Sequence, residues 1–256
     1  MARASSQRLV AESTARRVPP GVAAAVIGAD GAVNVVTSGV ADLGTGRPVT
    51  PDTTFLWCSM TKIVTATATM LLADRGKLDL DAPVIEHVSE LRMLHPPAER
   101  ITARHLLSHS SGLANPVPIR WVRPATGSPP ESRAFLHRLI RRHRGLRFVP
   151  GERAADTNLG YLVLGEVIAS CAGRPFADFV RGALLDPLQM RRTGFEHAED
   201  PSDIAIGYWR LPPGGLTALR LLLPPGIVDR RHRELVCVPT LLCQRSRLWQ
   251  SCWLGR

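Results

Sequence analysis

Apolar and polar residues first alternate in a pattern typical of β-structure, close to the N-terminus. Two β-type runs within residues 19–41 flank a turn centred on Ala29-Asp30-Gly31, and this arrangement predicts a β-hairpin. From Ser59 to Arg75 the apolar residues recur at helical spacing, and Gly76 is expected to end the helix. The Thr and Val content of this second segment favours a helix that is buried.

Helical spacing recurs as far as about residue 185, with loops in between. The further predicted helices cover residues 101–109, 132–143, 159–171 and 176–185. The predicted loops, rich in turn-forming residues, cover residues 42–54, 81–98 and 114–130. Beyond Tyr208 the chain is rich in Arg, poor in acidic residues and without a clear period. We therefore predict an ordered domain over residues 1–208. Residues 209–256 form an atypical Arg-rich tail, with the composition of a frameshifted or unstructured segment.

The overall composition is that of a globular protein, with 45% apolar and 21% charged residues. The formal net charge of +10 makes a nucleic-acid-binding protein one alternative. Nearly all of the positive charge comes from arginine, and the densest cluster, Arg138 to Arg147, falls on a predicted helix. A solvated helix face explains such a run better than a polyanion site does. We therefore expect no nucleic-acid partner.

No stretch of the sequence has the pattern of a targeting or membrane segment. The first twenty residues lack the apolar region of a secretory signal, and no stretch approaches the roughly 18 consecutive apolar residues of a membrane span. The five cysteines are odd in number and show no C-x-x-C spacing, which argues against a disulfide framework and a zinc site. We therefore expect a cytoplasmic protein with no membrane span, no metal and no cofactor.

Ser59 and Lys62 are the strongest candidates for chemistry. In a helix, positions i and i+3 share a face. A Ser in the first turn lies near free backbone N–H groups and the positive end of the helix dipole, which favour a developing anion. Lys62 can act as the base for Ser59 if burial favours its neutral form. On these two residues alone, a lysine that extends to the surface is an equally good interpretation.

Three other residues are weaker candidates. His105 and His109 have the i, i+4 spacing of a metal-binding pair, but no third ligand has suitable spacing, so a structural hydrogen-bonding role is favoured. Cys58 precedes Ser59 without an evident histidine partner, and packing is the better interpretation.

Four sequence blocks, in order, resemble the β-lactamase-related serine hydrolases, which include class C β-lactamases, D-Ala-D-Ala carboxypeptidases and related esterases. Phe55-Leu-Trp-Cys-Ser59-Met-Thr-Lys62 is similar to the F-x-x-x-S-x-T-K block, and Gly76-Lys-Leu-Asp-Leu-Asp-Ala-Pro83 to the G-K-L-x-L-D-D-P block. The segment from Ile101 to Leu113 resembles I-T-I-R-H-L-L-T-H-T-S-G-L. The segment from Pro150 to Gly165 resembles P-G-x-x-F-x-Y-S-N-x-G-Y-x-x-L-G.

The resemblance implies a fold, a chemistry and a set of site residues. It implies an α/β, β-lactamase/transpeptidase-like fold: an antiparallel sheet flanked by helices, with a helical lobe from about residue 75 to 175. It also implies acyl transfer through a Ser59 ester, with Lys62 as base and Asn158 orienting the substrate and the lysine. The substrate would be a small-molecule ester, amide or β-lactam.

This chain departs from the family pattern at two motifs. Asp156 stands where the tyrosine of Y-x-N would relay protons, beside the retained Asn158. An ionised Asp near Lys62 would hold the lysine protonated, so we assign Asp156 to substrate binding. No K-T-G or H-x-G triplet occurs after Tyr208. We therefore expect an incomplete sheet and weak or absent activity.

Two alternatives to a serine hydrolase stay open. A non-catalytic relic or binding module of the same fold is favoured by Asp156 and by the missing late motif. A basic nucleic-acid-binding protein is the weaker alternative, and it depends on the net charge of +10 alone.

Overall fold

A hairpin sheet and a lobe of helices make up most of the computed structural model, which describes residues 2–15, 19–95, 98–116, 132–195, 204–210, 221, 235–238 and 254–255. The α-helices are α1 (Ala2–Ala15), α2 (Thr61–Asp74), α3 (Ala103–Leu107), α4 (Ser132–Arg142), α5 (Asn158–Ala172) and α6 (Phe176–Val180). The strands are β1 (Gly21–Ile27), β2 (Val33–Asp42), β3 (Arg47–Pro48), β4 (Phe55–Leu56), β5 (Gly207–Arg210), β6 (Leu235–Val238) and β7 (Leu254–Gly255).

The predicted hairpin is confirmed by the antiparallel pairing of β1 with β2. The register runs from Gly21 opposite Gly39 to Ile27 opposite Val33, and β3 extends the sheet on the far side of β2. Gly39 has a φ of 77°, and an added Cβ there would lie 2.1 Å from the Pro20 carbonyl oxygen. Only glycine therefore fits this close approach of the two strands.

We predicted no helix at the N-terminus, where the structure has α1. This helix lies against β2, and the Thr14 Oγ1 is 2.6 Å from the Ser38 Oγ. Val10 is buried, whereas the adjacent Leu9 is exposed. The apolar stripe of α1 is therefore too narrow to predict a helix from sequence.

The helical lobe is centred on α5, whose apolar residues are buried on several sides, Leu159, Val163, Leu164, Val167 and Ile168 among them. The Thr157 side chain accepts the Gly160 N–H at 3.2 Å and caps the start of α5. Gly173, with a φ of 64°, ends it. The start and end of α5 agree with the sequence prediction.

α2 packs against α5 and buries only one of its faces. That face consists of small and polar residues together with one leucine: Thr61, Thr65, Ala68, Thr69 and Leu72. The prediction of a buried helix is therefore right for one face only, since Ile63 and Met70 are 58% and 50% exposed.

The basic helix α4 has the solvated face that the sequence predicted. Arg138, Arg141 and Arg142 are exposed, whereas the opposite face buries Phe135, Leu136, Leu139 and Ile140 in the lobe. The arginine run thus belongs to an ordinary amphipathic surface helix.

The sheet is incomplete, as expected. In the described part of the chain the strands form one three-stranded sheet and two separate pairs, β4 with β7 and β5 with β6. Strand β5 is attached to the hairpin, because the Tyr208 Oη donates to Asp42 Oδ1 at 2.9 Å and accepts the Leu43 N–H at 2.8 Å. Most of the predicted loop 114–130 lies outside the described residues. No helix among the described residues combines the length and apolarity needed to cross a membrane.

Thr61 provides a test of packing within α2. It is fully buried, and its Oγ1 has no hydrogen-bond partner among the described residues. We expect Thr61→Val to leave the free energy of unfolding unchanged or to raise it by about 1 kcal/mol, because a buried unsatisfied hydroxyl is costly. Urea denaturation measures this. Thr69→Val is the matched control, since it removes a 2.8 Å bond to the Thr65 carbonyl, and it should not be stabilising. A clear loss of stability in Thr61→Val would contradict the expectation.

We propose that residues 209–256 form an atypical Arg-rich segment that opens more readily than residues 1–208, as its composition predicted, although β6 and β7 pair with β5 and β4. Limited trypsin digestion should then remove the Arg-rich segment well before it cleaves the exposed arginines of α4, because cleavage follows local opening. Mass spectrometry of the surviving fragment measures the boundary. A segment as resistant as α4 would show that the proposed division is wrong.

Candidate active site

Ser59 lies in the 3₁₀ turn Cys58–Met60 that leads directly into α2. The Met60 N–H donates to the Trp57 carbonyl at 2.9 Å and closes the turn. Cys58 has a φ of 44°, which is a strained conformation for a residue with a side chain. The result is that Ser59 is exposed at the N-terminal end of the helix, one turn before Lys62.

The Lys62 side chain is only 16% exposed and has three oxygen neighbours. Its Nζ lies 3.3 Å from Ser59 Oγ, 2.9 Å from Asn158 Oδ1 and 3.7 Å from Asp156 Oδ1. Three oxygens from three different segments are thus gathered around one lysine nitrogen.

Asn158 is held by the start of α5 and by a second asparagine. Both its backbone N–H and its Nδ2 donate to Asn115 Oδ1, at 3.1 and 3.4 Å. This leaves the Asn158 Oδ1 free to accept from Lys62. The structure thus brings Asn158 Oδ1 within hydrogen-bonding distance of Lys62 Nζ.

Asp156 lies on the loop before α5 and is 60% exposed. Its Oδ1 faces Lys62 and also His109, whose Nε2 is 3.4 Å away, and its Oδ2 accepts from Asn115 Nδ2 at 3.4 Å. The carboxylate is therefore part of the same cluster as Lys62 and Ser59.

His109, for which we predicted a structural hydrogen-bonding role, lies beside the site residues. Its Nδ1 accepts the Thr157 N–H at 3.2 Å. Burial lowers the pKa of His109 below its ordinary value and Lys62 lowers it further, while Asp156 opposes both effects. The ring is therefore neutral at pH 7, with its proton on Nε2 and directed toward Asp156.

Tyr161 contributes its ring to the site, and its hydroxyl is used elsewhere. The hydroxyl donates to the Leu107 carbonyl at 3.2 Å, while the ring centroid lies 5.8 Å from Lys62 Nζ and 5.1 Å from the His109 ring. Burial raises the pKa of the Tyr161 phenol, and the charge of Asp156 adds to this. Tyr161 does not occupy the place of the missing proton-relay tyrosine.

Cys58 and His105 take no part in this cluster. Burial raises the pKa of the Cys58 thiol although the residue as a whole is exposed, and a protonated thiol is a poor nucleophile. The Thr102 N–H donates to His105 Nδ1 at 3.3 Å, which caps α3. In the described ranges no three His, Cys, Asp or Glu side chains come together as a metal site would require.

Sequence reasoning missed Asn115 altogether, although this residue positions both Asn158 and Asp156. Asn115 lies 43 residues before Asn158 in the chain, and no local spacing connects the two. Its only sequence signal is its place directly after the block that ends at Leu113.

Comparison with known proteins identifies the family. The family model described as beta-lactamase matches residues 7–226. Esterase EstB of Burkholderia gladioli is 35% identical over 184 residues, which cover 66% of this chain and 45% of that protein. Penicillin-binding protein 4 of Amycolatopsis lactamdurans is 31% identical over 176 residues, 68% of this chain and 44% of that protein. The chain thus spans less than half the length of these relatives.

Solved structures show the same fold. The D-amino acid amidase from Ochrobactrum anthropi SV3, complexed with L-phenylalanine, superposes with a TM-score of 0.79 at 23% identity, covering 97% of this chain and 66% of that one. The octameric penicillin-binding protein homologue from Pyrococcus abyssi gives a TM-score of 0.74 at 27% identity, covering 100% and 54%. The family match covers well over half of the sequence, and the chain therefore belongs to the β-lactamase family.

Proposed function

We propose that this protein is a serine hydrolase that transfers an acyl group through an ester on Ser59. The observation that carries the proposal is the distance of 3.3 Å between Ser59 Oγ and Lys62 Nζ, with Asn158 Oδ1 fixing the lysine at 2.9 Å. A nucleophile within hydrogen-bonding reach of a base, and a third group that orients the base, is the arrangement that covalent catalysis requires.

The reaction needs Lys62 to be neutral when Ser59 attacks. The Ser59 oxygen then forms a bond to the carbonyl carbon while its proton passes to the lysine amine. The bond from that carbon to the leaving alcohol or amine breaks, and the leaving group takes up the proton that Lys62 received. Water hydrolyses the Ser59 ester in a second step and regenerates the hydroxyl.

Asp156 limits this reaction because it has no phenol with which to protonate a leaving group. Its carboxylate lies 3.7 Å from Lys62 Nζ. General acid catalysis typically contributes about 10²- to 10⁴-fold in rate. We therefore propose weak activity, with Asp156 contacting the substrate at the edge of the cleft.

The substrate we propose is a small ester, amide or β-lactam. The relatives named esterase and penicillin-binding protein, and the neighbour named D-amino acid amidase, support this range. The exposed position of Ser59 is compatible with each of these substrates.

A non-catalytic binding module is the second candidate, and the Lys62–Asp156 ion pair favours it. In that case Ser59 and Lys62 would bind a carbonyl or carboxylate ligand without forming an ester. Covalent labelling separates this candidate from the hydrolase.

A fluorophosphonate probe and a fluorescent penicillin should each label the protein at Ser59, because the hydroxyl is exposed and lies beside the lysine. Mass spectrometry of the labelled peptide identifies the modified residue. Ser59→Ala should abolish labelling, and Ser108→Ala, which changes an exposed serine outside the site, should not. The absence of any Ser59 adduct at high probe concentration would favour the binding module.

Asp156→Tyr should raise the hydrolysis rate of p-nitrophenyl esters by about tenfold or more, since it removes the carboxylate and supplies a proton-relay phenol. Asp156→Asn is the matched control: it removes only the charge and should give a smaller increase. Steady-state rates measure the effect in both variants and in the double variant that combines Asp156→Tyr with Ser59→Ala. Equal rates in wild type and both variants would show that Asp156 does not limit the reaction.

A further inference from the structure

Two hydrogen bonds to His109 hold the loop before α5, one on each side of Asp156. The Ala155 N–H donates to the His109 backbone carbonyl at 2.9 Å, and the Thr157 N–H donates to its Nδ1 at 3.2 Å. One residue therefore fixes the backbone immediately before and immediately after Asp156.

The second of these bonds determines where α5 begins. Thr157 is the N-cap of α5, and Asn158 is its first residue. The Asn158 Oδ1 contacts Lys62 at 2.9 Å, so that a shift of Thr157 would move this oxygen away from the lysine. Small displacements of a group that positions a base can cost catalysis heavily.

The orientation of the His109 ring is itself fixed by the backbone and by a neighbour. His109 has a φ of 57°, in the left-handed region, where Asn and Gly are tolerated better than most residues. The Tyr161 ring lies 5.1 Å away, centroid to centroid. The ring is thus held between Tyr161 and the loop, with Nδ1 directed at the Thr157 N–H.

We propose that His109 is a positioning residue for the Ser59–Lys62 pair: its Nδ1, as an acceptor, holds Thr157 so that Asn158 meets Lys62. The inference rests on the proposed function, in which Asn158 orients the base. His109 itself touches neither Ser59 nor the reacting carbonyl in this assignment.

The proposed role requires a neutral imidazole, because a proton on Nδ1 would remove the acceptor. The charged and titratable groups that face the ring are Asp156, Lys62 and Tyr161. Burial sets the pKa of His109 below its ordinary 6.5. The acceptor is therefore present above pH 6.5 and is lost as the pH falls through the lower value of the folded protein.

Two substitutions at this position isolate the acceptor. His109→Asn keeps an acceptor at the same number of bonds from Cα as Nδ1, and His109→Gly removes the side chain. Both residues tolerate the left-handed backbone, and both remove the Nε2–H that faces Asp156. A difference between them therefore reports on the bond to Thr157.

The first readout is hydrogen exchange of the Thr157 amide, measured by NMR relative to the Val163 amide inside α5. At pH 7.5 we expect its protection to fall about tenfold in His109→Gly, as the loss of one hydrogen bond predicts, and to stay within about threefold of wild type in His109→Asn. Below pH 6.5 wild type should lose relative protection at Thr157, whereas His109→Asn, which does not titrate, should keep it.

The second readout is the rate at which the fluorophosphonate probe acylates Ser59, which should follow the same order. If wild type is not acylated at all, the proposed function fails while the exchange measurement still tests the positioning role. Wild-type protection in His109→Gly, or equal losses in both variants, would overturn the proposal. If His109→Gly does not fold, the test depends on His109→Asn. The proposal would then be overturned if His109→Asn lost protection of the Thr157 amide at low pH as wild type does.

Discussion

The mostly buried Lys62 side chain is the constraint on which the candidate site depends. A polar group withdrawn from water needs partners nearby, and here they come from three places: the turn at Ser59, the loop at Asp156 and the first residue of α5 at Asn158. These meet only because α5 packs closely on the small residues of α2.

Two buried threonines of α2 satisfy their hydroxyls within the helix, since Thr65 donates to the Thr61 carbonyl at 3.1 Å and Thr69 to that of Thr65 at 2.8 Å. Neither of these two hydroxyls is therefore left unpaired in the interface between α2 and α5. The packing of the two helices also fixes the distance between Lys62 and Asn158.

Backbone hydrogen bonds between two distant segments hold the remaining wall of the site. The Arg147 N–H donates to the Gly112 carbonyl at 2.7 Å, and the Gly151 N–H donates to the Ser110 carbonyl at 2.9 Å. Gly112 has a φ of 74°, and an added Cβ would lie 2.1 Å from the Phe148 carbonyl oxygen, so the segments approach as closely as only glycine permits. Every contact described for Lys62 thus arises from the hairpin-to-α2 turn and the helical lobe. The segment before Ser59, by contrast, is paired with residues beyond α5, since Thr54 bridges Ile204 and β4 pairs with β7.

The features that the sequence predicted are those that depend on neighbours in the chain. The hairpin turn at Asp30-Gly31, the end of α5 at Gly173 and the shared face of Ser59 and Lys62 each follow from spacing over a few residues. The contacts that complete the site do not: His109 and Thr157 are 48 residues apart, and Asn115 and Asn158 are 43. In the same way, the exposure of Ile63 and Met70 was not predictable, because which face of α2 is covered depends on where α5 lies. Helix periodicity marks an apolar face without identifying its partner.

The size of the Lys62–Asp156 interaction decides how far it can suppress catalysis. Asp156 is 60% exposed and 3.7 Å from the lysine, so water screens the pair, and pairs of this kind contribute at most about 1 kcal/mol. An interaction of that size corresponds to no more than about a fivefold change in rate. Lys62 Nζ lies closer to Asn158 Oδ1, at 2.9 Å, but this contact is a feature of the family pattern and accompanies a working base as readily as an idle one. The missing proton relay is worth far more, about 10²- to 10⁴-fold. In the proposed hydrolase, the replacement of tyrosine by Asp156 would therefore act mainly through the phenol that is absent, and only slightly through the charge that is present.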